Sequence, residues 1–109
     1  MSVFEIMKTA METRNSGMFV DMLHDDFVFV RHQSGTTMNR AEMAAMIEEM
    51  SASDAWSIES HRCIYENDDI MIDHSVMSFP DGSKEAVLAS HMLKDGKILR
   101  LESGATRLD

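Results

Sequence analysis

Apolar residues recur along this chain first at helical spacing and then in alternation. Val3, Ile6, Met7, Ala10 and Met11 fall three and four positions apart, one stripe on a helix. The stripe opens at Ser2-Val3-Phe4-Glu5, a hydroxyl residue with Glu three positions on, the pattern of a capping box. Asn15-Ser16-Gly17 stops this helix, and Ser16 is placed to cap a second, short one whose buried face is Phe19, Met22 and Leu23. Asn39-Arg40-Ala41-Glu42 is another capping box, opening a helix through Met43, Met46, Ile47 and Met50. Between the second and third helices, Phe27 to His32 has strand character and ends at Gln33-Ser34-Gly35.

After Trp56 the texture changes. Trp56 to Tyr65, Ile70 to Phe79, Lys84 to Lys94 and Lys97 to Arg107 each read as a strand. Asp81-Gly82 and Asp95-Gly96 separate the last three, and Asp-Gly between strands signals a two-residue hairpin turn. The predicted order is α-α-β-α-β-β-β-β, one domain over 1–109. Its sheet is mostly antiparallel, because no connection after Trp56 is long enough for a parallel crossover.

Tight turns also predict register. Centring a turn on Asp95-Gly96 sets Leu93 opposite Ile98 and His91 opposite Arg100, and centring one on Asp81-Gly82 sets His74 opposite Ala89. One face then carries His74, His91, Arg100 and Glu102 among aliphatic residues, and the other carries Met77, Leu88, Met92, Leu99 and Leu101 with Asp73 and Ser75. Both faces are substantially apolar. Three helices cover one of them, so the second needs another partner, and a homodimer through the outer face is expected.

Composition removes several classes of function. At 109 residues and a net charge of −9, with Lys and Arg scattered, the surface repels nucleic acid and anionic membranes. Cys63 is the single cysteine, so no internal disulfide and no cysteine-based zinc cluster is expected. No metal motif or cofactor signature stands out, and no apolar run approaches the ~18 residues of a membrane span. The expected setting is the cytoplasm. Twelve methionines suit a core or a pocket of irregular shape.

The passage Leu23-His24-Asp25-Asp26-Phe27-Val28-Phe29 after two helices, the Asn39-Arg40-Ala41-Glu42 helix start and Asp95-Gly96-Lys97-Ile98 in the last hairpin together resemble the nuclear transport factor 2-like superfamily, in its SnoaL-like branch of small bacterial proteins. The resemblance spans nearly the whole chain. It implies an α+β cone, a curved, mostly antiparallel sheet with three helices packed on its concave face around a mostly apolar pocket. It also implies dimerisation through the outer face in many members. Function is not fixed by this fold. The tyrosine acid and strand-end acidic base of the ketosteroid-isomerase branch are missing here: the first helix has no tyrosine and the first strand ends in Arg31-His32.

Candidate chemistry follows from the predicted inner face. His91 and Glu102 are the expected proton-transfer pair, since a carboxylate orients an imidazole and raises its basicity. SnoaL-like cyclases are similar in using an acidic residue and a histidine in the pocket. His74, Arg100, Trp56, Phe29 and His32 are the expected ligand contacts. Three readings stand open at this point. The first is a protein that binds a small hydrophobic molecule in an apolar pocket. The second is a cyclase, isomerase or dehydratase acting by proton transfer on a hydrophobic carbonyl compound. The third is a dimerisation or assembly module without chemistry.

Overall fold

The computed structural model describes residues 2–108. Three helices, α1 (Val3–Glu12), α2 (Ser16–Val20) and α3 (Arg40–Ala52), pack on one side of a six-stranded sheet. Its strands are β1 (Leu23–Arg31), β2 (Thr36–Asn39), β3 (Ser57–Glu66), β4 (Ile70–Ser78), β5 (Lys84–Lys94) and β6 (Lys97–Leu108). Their spatial order is β2-β1-β6-β5-β4-β3, and every pair is antiparallel except β1 with β6. The α+β cone expected from the sequence is therefore present, with one strand more than expected. β2 is short and mostly exposed, so it carries no run of alternating apolar residues to announce it.

The helix starts form as their sequences dictate. Ser2 Oγ accepts the Glu5 N–H at 3.1 Å, and Asn39 and Glu42 exchange both bonds of a capping box. Asn15, rather than Ser16, caps α2, accepting the Met18 N–H at 3.0 Å. The first turn of α1 is also held from the sheet: the Glu66 carboxylate accepts the Val3 and Phe4 N–H groups at 3.0 and 3.1 Å. An anion at a helix N-terminus satisfies donors that have no partner within the helix. Arg14 donates to the carbonyls of Met50, Ser53 and Trp56, tying the end of α3 to the start of β3.

Register decides which side chains meet the helices, and here two expectations are corrected. The β5–β6 turn sets Lys94 opposite Lys97 and Leu93 opposite Ile98, with Asp95 and Gly96 both at positive φ, as the Asp-Gly turn requires. A bulge at Leu99 then moves His91 opposite Leu101 and Met92 opposite Arg100. The β4–β5 turn is longer than two residues. Ser78 pairs with Lys84, the Phe79 N–H donates to the Ser83 carbonyl, and Asp81 Oδ1 accepts from the Ser83 amide and hydroxyl. Pro80 has no N–H to give the ladder. His74 therefore stands opposite Leu88 and Asp73 opposite Ala89.

A shift of one residue exchanges the faces of a strand. Met71, Asp73, Ser75 and Met77 accordingly share the concave face with Glu85, Val87, Ala89, His91, Leu101 and Ser103. His74, Arg100 and Glu102 lie on the convex face, so they do not join a pocket wall. Met77 and Leu101, expected outside, turn inward, while Leu88 and Met92 stand outside, half exposed. The core lies between the concave face and the helices and includes Met7, Phe19, Leu23, Phe27, Phe29, Met43, Ile47, Met71 and Ile98. No described helix is long and apolar enough to cross a membrane.

Candidate functional site

Helices and sheet do not meet everywhere. Between them lies a cavity of about 700 Å³, lined by Met7, Met11, Met38, Met43, Met46, Met50 and Met77 with Phe19, Phe29, Trp56, Ile47, Ile58, Val87 and Leu101. Methionine side chains are long and unbranched, so they leave such a cavity adaptable in outline. Trp56 packs edge-on against Phe79 with ring centroids 5.0 Å apart, which fixes both rings at its rim. Trp56 and Phe29, two of the expected ligand contacts, both line this cavity.

The polar group of greatest chemical interest in the cavity is Asp73. Its Oδ2 lies 2.7 Å from His61 Nε2 and its Oδ1 lies 2.9 Å from His91 Nε2. Asp73 is 6% exposed and His91 is 2% exposed. Burial pushes the Asp73 carboxyl up, but hydrogen bonds from His61 and His91, with the attraction of those rings, outweigh it and hold it at about 2. An ionised carboxylate only accepts, so each Nε2 carries a hydrogen, and in the neutral ring it is Nδ1 that holds the lone pair. The tautomer of both rings follows from Asp73.

The two histidines differ in access. His91 Nδ1 is buried with no hydrogen-bond partner among the described residues. His61 lines both the main cavity and a smaller cleft of about 350 Å³ between α1, α3 and β3. Phe4 packs on the His61 ring at 4.7 Å. A bulge in β3 delivers His61 to this place. Ser60 adopts a positive φ of 55°, and the β3–β4 register shifts between Glu59 and Arg62, so His61 turns inward and Arg62 is left opposite the outward His74.

Of the residues predicted from sequence, His91, Trp56 and Phe29 come together in the cavity. Glu102 does not reach His91; its place beside that ring is taken by Asp73. Glu102 instead accepts from Arg100 at 2.7 Å and lies 3.8 Å from His32 Nε2 on the convex side. The Arg100 hydrogen bond and charge, joined by His32, hold the Glu102 carboxyl below its usual range despite some desolvation. His32 is exposed there and His74 lies on the same outward face. Sequence reasoning missed Asp73 and His61. The available signal was a carboxylate inside the apolar run Ile70-Met71-Ile72-Asp73 with a histidine on each neighbouring strand. Among the described residues, no group of three or more His, Cys, Asp or Glu side chains is arranged to hold a metal ion.

Comparison with known proteins agrees with this architecture. A candidate ketosteroid isomerase from Kribbella flavida superposes with a TM-score of 0.75 at 14% identity, over 96% of this chain and 78% of that one. An LEH-like epoxide hydrolase from M. tuberculosis gives 0.70 at 13% identity, over 94% and 78%. IdmH from Streptomyces antibioticus, described as a candidate polyketide cyclase, gives 0.67 at 15% identity, over 93% and 89%. At such identities the likeness is one of fold. No curated protein matches the chain. The SnoaL-like domain family matches residues 4–101, nearly the full length, and the chain belongs to that family, within the NTF2-like superfamily.

Proposed function

We propose that this protein binds a largely apolar carbonyl compound in its cone cavity and transfers a proton on it. One observation carries the reading: a buried, ionised Asp73 shared between two imidazoles at the wall of an apolar cavity. His61 is the base, because its ring reaches both open spaces while the Nδ1 of His91 is sealed. Its Nδ1 lone pair takes a proton from the carbon beside the carbonyl, and the C–H electron pair becomes an enolate. Asp73 stabilises the imidazolium that forms, and His91 holds Asp73 in place as a positioning residue. Returning the proton to the far carbon of a conjugated enolate gives isomerisation. Attack of the enolate on a second carbonyl, whose oxygen takes the proton back from the imidazolium, gives cyclisation. Loss of a hydroxyl beta to the carbonyl, leaving as water with that proton, gives dehydration.

The test is exchange of the protons beside the carbonyl of methyl decyl ketone in deuterated water, followed by NMR. The wild-type protein is expected to accelerate exchange, and His61→Gln to reduce the acceleration by about a hundredfold or more. Binding of the ketone with no acceleration would remove the catalytic step. The carrier reading, binding without turnover, would then stand, and it draws on a separate observation: both oxygens of Asp73 are already engaged by its two histidines. A cavity of this size counts against a pure assembly module. Self-association through the convex face is a companion proposal, supported by the exposure of Leu88 and Met92 there.

A further inference from the structure

A second polar group sits in the same cavity, apart from Asp73, and the proton-transfer step does not use it. Arg31 Nη2 donates to Glu85 Oε1 at 2.6 Å, and Arg31 Nη1 donates to Gln33 Oε1 at 2.6 Å. Glu85 is 7% exposed. The pair reaches from β1 to β5 across the concave side of β6, past the small residues Ser103 and Ala105. Arg107, the β6 partner of Glu85 in register, is exposed, and the ion pair of Glu85 is with Arg31. Both partners line the cavity. A largely buried ion pair contributes little to stability compared with an apolar pair of similar volume, so folding alone is a poor reason for placing one here.

We infer that Arg31 and Glu85 form a second anchor, and that the ligand is an elongated apolar compound with a hydroxyl at the end remote from its carbonyl. The inference rests on the reading of the Asp73 end as the carbonyl site. Two Arg31 N–H groups are engaged, leaving further guanidinium donors for a ligand oxygen. Glu85 Oε2 makes no hydrogen bond with the described residues, so it remains an acceptor. A hydroxyl uses both, accepting from Arg31 and donating to Glu85. A carboxylate meets the Glu85 charge, and a bare alkyl end covers the unused donors without satisfying them. Glu85 lies four residues along β5 from Ala89, the partner of Asp73, which separates the two anchors by about 13 Å. That distance is near the length of a ten-carbon chain.

Isothermal titration calorimetry with methyl decyl ketone and its ω-hydroxy and ω-carboxy derivatives tests the anchor. The wild-type protein is expected to bind the hydroxy ketone about tenfold more tightly than the parent and more tightly than the carboxy ketone. Glu85→Gln leaves the Arg31 charge uncompensated and is expected to reverse the order of the hydroxy and carboxy ketones. The double variant Arg31→Met with Glu85→Leu, checked for cooperative thermal unfolding, is expected to bring the parent and hydroxy ketones within about twofold of each other. Binding of the parent ketone with no preference for the hydroxyl overturns the anchor alone. An order unchanged in both variants overturns it equally. If the wild-type protein binds none of the three, the carbonyl site itself falls and the anchor falls with it.

Discussion

Asp73 does two jobs with one charge. It holds two imidazoles in a single tautomer, and it keeps its own proton off despite burial. Replacing it with Asn removes the charge and puts an amide donor where a lone pair had been, so one ring must move its hydrogen to Nδ1, and give up the lone pair there, or lose its bond. Asp73→Asn is therefore expected to reduce ketone proton exchange at least as much as His61→Gln, read by the same NMR measurement. The carboxyl also links folding to pH. Its folded value of about 2 lies below the ordinary 3.8, so its stabilisation is complete above about 3.8 and disappears as pH falls toward 2. That contribution is roughly 2 kcal/mol. Urea unfolding followed by circular dichroism between those pH values is expected to show a shallower loss of stability in Asp73→Asn than in the wild type.

At the scale of elements, helix starts and strand faces are specified by different kinds of signal. The start of α3 depends on two local hydrogen bonds between Asn39 and Glu42, and Asn39→Ala is expected to lower the unfolding free energy by about 1 kcal/mol in urea titrations. Because such signals are local, the three helices and the Asp95-Gly96 turn were legible in the sequence. The faces of the strands were not. Each depends on counting residues from a turn, and irregularities intervene: the long Pro80-Asp81 turn, the bulges at Ser60 and at Ile64 in β3, and the bulge at Leu99. No glycine marks any of these bulges. Apolar residues on both sides of β4 and β6 also removed the contrast that would have fixed the choice. Of the expected acid–base pair, the histidine lies in the cavity while its acid comes from the strand on the other side: Asp73 of β4 rather than Glu102 of β6.

Taken whole, the molecule has one face of its sheet under helices and the other open. Ile64, Tyr65, Leu88 and Met92 are about half exposed, with Leu88 and Met92 on the convex side. A dimer at micromolar concentration is expected in sedimentation equilibrium, and Leu88→Glu with Met92→Glu is expected to give a monomer; a monomeric wild type would reject that interface. The parallel pairing of β1 with β6 has a different kind of consequence. Phe29 lies beside Leu101, so the first strand of the chain finds its central neighbour in the last. The hairpins of β3 to β6 close over short distances, but the wall of the cavity holding Phe29 and Arg31 waits for a contact spanning most of the chain. Such closures are slow because the entropy of the intervening loop is lost before the contact forms. During synthesis, β1 can pair with β2 early, yet its other edge stays unpaired until residues around 101 have left the ribosome. For that interval the methionine-rich helices have an incomplete sheet to pack on, and the nascent chain is at its most exposed to aggregation.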